Sequence, residues 1–127
     1  MKYIALEQLL QLHVLAVEQF GGSDGLRDLG RLEAALASQR QEVFGKELYQ
    51  GVDEKAAALC RGIIGDHPFV DSNKRTAMLV AITFLEINDT QFVAKMGEVE
   101  DFAVKVAVDR LDVPAIAAWL RAHSKAI

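Results

Sequence analysis

The sequence predicts an all-α protein: one compact domain, residues 1–127, of about six helices around a buried central helix. Three observations lead there. Only two prolines occur in 127 residues, so few positions forbid a helix. Apolar residues recur at steps of three and four along most of the chain. The segment AMLVAITFL, Ala77 to Leu85, is apolar on nearly every helical face yet far too short to span a bilayer, which suits the centre of a bundle.

The elements follow in order. Leu6, Leu9, Leu10, His13, Val17 and Phe20 form the stripe of a first helix, which Gly21-Gly22 ends. A turn-rich stretch, GSDGLRDLGR, leads to a second helix from about Leu29 to Gln39, capped near Asp28. Arg40 to Gly51, with two glycines and the exposed-looking aromatics Phe44 and Tyr49, reads as an irregular loop or short hairpin. A third helix starts near Asp53 and Glu54, carries Ala56, Cys60, Ile63, Ile64 and His67 on one stripe, and cannot pass Pro68. The fourth, about Asn73 to Asn88, is the apolar one. The fifth, about Glu98 to Asp109, shows Val99, Phe102, Ala103 and Val106 on one face. The sixth, about Val113 to Ser124, has Pro114 in its first turn and Arg121, His123 and Lys125 at its negative end.

Composition excludes several function classes. Hydrophobic residues make 51% and charged residues 25%, the balance of a globular domain and not of a disordered chain. The net charge of −4 gives no basic face for general nucleic-acid binding, so no direct nucleic-acid contact is expected. A single cysteine, Cys60, permits neither an internal disulfide nor a cysteine-based zinc site, and its apolar surroundings read as core. No apolar run is long enough for a membrane span and the start lacks a secretory pattern, so the cytoplasm is the expected location.

One helix starts with the wrong sign. Unpaired N–H groups make a helix start positive and favour acidic residues there. Glu7, Asp28, Asp53 with Glu54, Glu98, and Asp112 follow that rule, but the fourth helix opens with Asn73, Lys74 and Arg75. Asp71 or Ser72 can cap it. The two cations could bend into water or pair with Asp71; the alternative is that an anion offsets them, with free N–H groups, Lys74 and Arg75 forming a phosphate cradle. The neighbouring residues favour the cradle. His67 can take a proton near neutral pH, help worth roughly 10²–10⁴-fold. Asp71 is the single carboxylate that, with phosphate oxygens and waters, can hold Mg²⁺. Phe69 alternates with polar residues and turns inward. HPFVDSNKR thus contains the parts for phosphoryl or nucleotidyl transfer. His13, on the apolar stripe of the first helix, reads as a hydrogen-bonded core histidine, and His123 as dipole-matched surface.

The stretch HPFVDSNKRTA resembles the signature of the Fic/Doc superfamily. The Fic form is His-Pro-Phe-x-Asp/Glu-Gly-Asn-Gly-Arg-x-x-Arg, and the Doc form His-x-Phe-x-Asp/Asn-Ala/Gly-Asn-Lys-Arg-Thr-Ala/Gly. Lys74 stands where Fic enzymes have glycine and Met78 where they have the second arginine, so the likeness is to Doc. LLQLHVLAVEQFGG, GLRDLGRLEAAL and FLEINDTQF extend it over most of the chain. The resemblance implies a death-on-curing toxin of a toxin–antitoxin pair, inhibited by a Phd-like antitoxin. Its activity would be ATP- and Mg²⁺-dependent protein Ser/Thr kinase chemistry on a translation elongation factor, elongation factor Tu-like, arresting growth. His67, Asp71 and Lys74 are then the expected catalytic residues. His67 would be the general base, Asp71 the Mg²⁺ ligand, and Ser72, Asn73, Lys74 and Arg75 the nucleotide-phosphate site, with Phe69 as structural anchor. The side chain of Lys74 would fill space that glycine leaves to a polyphosphate, turning a different phosphorus toward His67. AMP transfer of the Fic type and a decayed, non-enzymatic binding module are the alternatives. Since the matching region of Fic relatives forms a flap, the loop from Arg40 to Gly51 is a candidate for docking the target, or else a plain surface loop.

Overall fold

The computed structural model describes residues 1–127. Six helices make up the bundle: α1 (Leu6–Phe20), α2 (Leu29–Ala37), α3 (Val52–Asp66), α4 (Asn73–Ile87), α5 (Met96–Asp109) and α6 (Val113–Ala122). A 3₁₀ turn, Ser38–Arg40, extends α2. Two small antiparallel ribbons complete the chain. β1 (Glu42–Val43) pairs with β2 (Lys46–Glu47), and β3 (Thr90–Phe92) with β4 (Ser124–Ala126). The expected all-α bundle is observed, and no helix is long and apolar enough to cross a membrane.

Two helices share the centre. α4 is buried along Thr76–Met78, Val80–Ala81 and Phe84–Leu85, as its all-round apolar sequence requires. α3 lies against it, buried from Lys55 to Cys60 and at Ile63 and Ile64, and touches most of the others: α2, α4, α5 and α6. The alanine run of α3 lets its neighbours come close. Gly62 allows the closest approach, since a Cβ there would meet Cβ of Ala35 on α2 at 3.0 Å.

Local chemistry sets the helix ends. The Asp28 side chain accepts from the N–H of Arg31, and that of Asp112 from Ala115. Gln8 and Glu98 reach back to the N–H groups of Ala5 and Lys95, which starts α5 at Met96, two residues before Glu98. α6 ends at Ala122, earlier than the sequence pattern suggests, because the chain beyond it pairs with β3: Phe92 faces Ser124 and Thr90 faces Ala126. His123 at that end hydrogen-bonds the Trp119 carbonyl, stacks on the indole and lies 3.2 Å from Glu98. It is a half-buried joint between α6 and β4 rather than open surface.

Side-chain amides clamp the N-terminal segment. Gln39, buried, accepts from the N–H of Ile4 and donates to its carbonyl; Asn88 does the same for Lys2. Lys55 is buried on α3 and donates to the Gln39 carbonyl and to Glu47 Oε1 at 3.0 Å. The loop Arg40 to Gly51 is therefore a short hairpin fastened beside the N-terminal end of α3. Phe44 at its tip is fully exposed, whereas Tyr49 packs on the core. Cys60 is core: its thiol is pushed up to about 12 by burial, 3.8 Å from the Met78 sulfur.

Candidate functional site

The site grows from the break between α3 and α4. Pro68 forbids continuation of α3, and His67 ends it in the left-handed region, φ 48° and ψ 58°. Non-glycine residues avoid this region, at a cost of about 1–2 kcal/mol. Five such residues occur in the chain, and two, His67 and Ser72, flank this one loop. Strain concentrated at a loop is a pointer to function, read from an observed outlier. The imidazole is exposed, and its ring makes no hydrogen bond within the protein. Its backbone is fixed instead: Arg27 Nε donates to the His67 carbonyl at 2.7 Å, and Arg27 and Arg31 both donate to the Asp66 carbonyl. Two guanidinium groups thus neutralise the negative end of α3.

Phe69 is buried and stacks face to face on His13, ring centroids 3.7 Å apart. Asn73 closes the loop from the other side. Its Oδ1 accepts from the Phe69 N–H and its Nδ2 donates to the Phe69 carbonyl, both at 3.0 Å. The Asn73 side chain is therefore committed to the loop, and only its backbone N–H faces an anion. His13 is the expected hydrogen-bonded core histidine. Its partner is part of the site, however: Nε2 is 3.0 Å from the Asp71 carbonyl oxygen.

Asp71 is exposed and ionised. The Ser72 N–H, then the Ser23 N–H, hold its carboxyl below the usual range, with Arg75 and His13 adding weaker attraction. Each carboxylate oxygen accepts one N–H and keeps a free lone pair. No cluster of three metal-ligating side chains exists, so the residues fit a Mg²⁺ brought in on phosphate oxygens and held through one carboxylate, and not a prebuilt cage.

The start of α4 differs from the capping expected of Asp71 or Ser72. Neither side chain caps it. Ser72 lies in the left-handed region, φ 63°, and its hydroxyl donates to the Gly21 carbonyl, while Asp71 bonds N–H groups outside the helix. The N–H groups of Asn73, Lys74 and Arg75 have no helical partner. With Gly21, Gly22, Asp71 and Ser72 they line a polar cleft of about 260 Å³ that contains no hydrophobic residue. Gly22, φ 112°, is needed there: a Cβ would meet Ser72 Oγ at 2.8 Å and Asp71 Oδ2 at 2.9 Å. Neither cation pairs with Asp71. Arg75 donates to the Phe20 carbonyl at 2.9 Å and lies over the Phe20 ring, so the negative end of α1 offsets its charge. Lys74 is exposed and has no protein partner.

His67 lines a different groove, of about 520 Å³, with Arg61, Asp66 and Arg110 among its walls. The imidazole thus stands at the border between that groove and the motif loop leading to the cleft. The hairpin Glu42–Glu47 lies elsewhere. Lys55, which binds it, is twelve residues before His67 on α3, about 18 Å away along the helix. The segment that runs beside the motif is instead Gly22–Asp28. Leu26 bridges Phe69, the N–H groups of Arg27 and Asp28 bond the Pro68 carbonyl, and the Val70 N–H bonds the Gly25 carbonyl. Sequence reasoning missed Arg27, Arg31 and Gly22. The available signal was the unmatched negative end of α3, but its cations come from up to 40 residues earlier in the chain.

Comparison with known proteins agrees with this geometry. Residues 3–85 match the Fic/DOC family. The chain is 38% identical over 127 residues to "Toxin Doc" of Mycolicibacterium smegmatis, covering 98% of this chain and 95% of that one. It is 34% identical over 121 residues to "Protein kinase doc" of Escherichia phage P1, covering 95% and 94%. With both the motif and most of the chain matched, this protein belongs to the Fic/Doc family.

Proposed function

We propose that this protein is the toxin of a type II toxin–antitoxin pair. It transfers the γ-phosphoryl group of ATP, with Mg²⁺, to a Ser or Thr hydroxyl of a translation factor resembling elongation factor Tu, and so arrests growth in the cytoplasm. The observation that carries this reading is the uncapped start of α4, where Lys74 has no protein partner, one loop away from a strained, exposed His67. The relatives named as a toxin and as a protein kinase support it.

In this reading the N–H groups of Asn73, Lys74 and Arg75 and the ammonium of Lys74 bind the phosphate chain. His67 accepts the proton of the target hydroxyl as its oxygen bonds to the γ-phosphorus. The bond from that phosphorus to the β–γ bridging oxygen breaks, ADP leaves, and the imidazolium releases its proton to water. Mg²⁺ held by Asp71 would supply neutralisation of charge on the phosphate oxygens. Met78, an apolar residue at the position of the second Fic arginine, removes one grip on the phosphate pose used for AMP transfer. A Phd-like antitoxin, folding a disordered tail onto the toxin, fits this role, and a neighbouring short reading frame is the first sign to seek.

The test is incubation of the purified protein with cell extract and ATP labelled at the α- or the γ-phosphate, followed by mass spectrometry of the labelled product. Label from the γ-phosphate alone, lost with His67→Ala, is expected. Label from the α-phosphate would replace the kinase reading with AMP transfer. Growth arrest by wild type and His67→Ala alike would reject catalysis and leave a binding module.

A further inference from the structure

An acceptor hydroxyl must reach the His67 imidazole from a side that the phosphates leave free. The cleft at the start of α4 does not include His67 in its lining, whereas the groove of about 520 Å³ between the last turns of α3 and the end of α5 does. Ile64 and Leu111 give this groove an apolar middle, and two guanidinium groups, Arg61 and Arg110, stand on its lining. Both arginines are exposed, and neither forms an ion pair within the chain. Their own helices offer them no acid. Three and four residues from Arg61 stand Ala57, Ala58, Ile64 and Gly65, and before Arg110 stand Val106 and Ala107. Asp66 is the one carboxylate on the lining, so with His67 neutral the groove is positive in a chain of net charge −4. Gly65 adds a separate observation. It lies within α3 in ordinary backbone, and a Cβ there would meet no atom within 4 Å, whereas Gly62 is required by its contact with Ala35. A glycine inside a helix is weaker than alanine. What Gly65 provides is a low floor beside His67, with room for another backbone to come close.

We infer that this groove docks the acceptor segment of the protein substrate in extended form, with an Asp or Glu of that segment held by Arg61 and Arg110. The inference rests on the proposed kinase reading and adds a rule of substrate choice to it. The spacing follows from α3. Arg61 precedes His67 by six residues, about 9 Å along a helix. An extended chain covers that distance in about three residues, and the reach of an arginine side chain widens the window to about two to five residues from the Ser or Thr. Guanidinium suits this task, because its planar fork takes a carboxylate through two parallel hydrogen bonds. Asp66, next to His67, disfavours an acidic residue directly beside the acceptor and offers its carboxylate to an N–H of the docked backbone.

The test follows the initial rate of γ-label transfer from ATP, with Mg²⁺, against increasing concentrations of cell extract as the source of substrate. Arg61→Gln and Arg110→Gln should each raise the half-saturating extract concentration about three- to tenfold and leave the saturated rate within about twofold of wild type. The double reversal Arg61→Glu with Arg110→Glu should raise it further, and Arg61→Lys, which keeps the charge but not the fork, should lie between wild type and Arg61→Gln. Gly65→Leu, an uncharged block on the groove floor, should raise it as the single arginine changes do. Inorganic tripolyphosphate, titrated calorimetrically with Mg²⁺, should bind every variant as it binds the wild type, which also demonstrates that each is folded. Mass spectrometry of the labelled site should find Asp or Glu about two to five residues from the modified hydroxyl. An unchanged half-saturating concentration in the double reversal, a fall in the saturated rate alone, or a labelled site with no acidic residue in that window would overturn the groove and leave the kinase reading intact. Absence of γ-label with the wild type, or label that survives His67→Ala, would overturn the kinase reading and the groove with it.

Discussion

Replacing His67 should separate activity from stability. The residue holds φ 48° and ψ 58°, a conformation that costs an L-residue with a Cβ about 1–2 kcal/mol, less for asparagine and nothing of that kind for glycine. Its ring is exposed and has no internal hydrogen bond, so removing it sacrifices little contact. The backbone bonds, from its N–H to Ile63 and from Arg27 to its carbonyl, survive any substitution. For His67→Gly, relief of about 1–2 kcal/mol is reduced by about 0.5–1 kcal/mol of extra backbone entropy, leaving a net gain of roughly 0.5–1 kcal/mol. In a domain of this size that is a rise in Tm of about 2–4 °C. His67→Asn should gain a little less, and His67→Ala, which keeps the strained Cβ, should stay near the wild type. All three should lose about 10²–10⁴-fold in transfer of γ-labelled phosphate to the target. Thermal melts and the transfer assay on the same preparations provide the check. If His67→Gly lowered Tm by several degrees, or if any of the three kept wild-type transfer, the picture of a strained residue kept for its imidazole would be wrong.

Four further outcomes follow from single residues. Gly21→Ala and Gly22→Ala both strain the backbone, at φ 84° and 112°. Only Gly22→Ala pushes on Asp71 and Ser72, so only it should weaken tripolyphosphate binding in calorimetry. His13→Phe keeps a ring against Phe69 but removes the bond to the Asp71 carbonyl; urea titration should show a loss of about 1–2 kcal/mol. Thr76→Val should be neutral or stabilising by up to about 1 kcal/mol in the same assay, because Thr76 Oγ1 is buried without a partner; a marked loss would reveal a bond from this hydroxyl. The hydrogen bond from Lys55, with its charge, holds the Glu47 carboxyl below its ordinary value of 4.5. A lowered folded pKa contributes stability above the unfolded value, lost as pH falls through the folded one, so Glu47→Gln should lower Tm at neutral pH and flatten its decline below about pH 4.5.

Features governed by nearby residues were legible in the sequence. Helical periodicity located all six helices, and Asp28 and Asp112 cap as the pattern requires. Pro68 correctly ends α3, and the apolar run of α4 correctly reads as core. What escaped depends on partners distant in sequence. β3 and β4 are three residues each, and β4 exists only because Phe92 and Ser124 meet across the whole of α5 and α6. Nothing local marks Lys55 as buried, since its acceptors, the Gln39 carbonyl and Glu47, come from the 3₁₀ turn and the hairpin before its helix. Arg27 and Arg31 belong to α2 and the turn before it, yet their role is at the end of α3. Ser72 reads as a cap by residue type. Its left-handed backbone, fixed by the Gly21 carbonyl and the neighbouring Asp71 carboxylate, aims its hydroxyl elsewhere.

The two cations of α4, treated as a pair in the sequence, are different in structure, and the difference sharpens the case for a ligand. Arg75 has an internal explanation. It bonds the terminal carbonyl of α1 and stacks on Phe20, so the repulsion it meets from the start of its own helix is offset by the end of another. Had Lys74 been matched in the same way, the basic start would be ordinary helix packing. Lys74 has no such partner: it makes no pair with Asp71, whose carboxylate accepts the Ser72 and Ser23 N–H groups and keeps its remaining lone pairs free, and the Ser72 hydroxyl bonds Gly21. The same commitments leave the first N–H groups of α4 uncapped. One loop therefore leaves both the lysine and the helix start without an internal partner, and does so at the cost of a left-handed serine. An arrangement that only stabilised the fold would either relieve that strain with glycine at position 72 or turn the serine to cap the helix. An arrangement that must keep donors open for an incoming anion gains from neither, and neither is found.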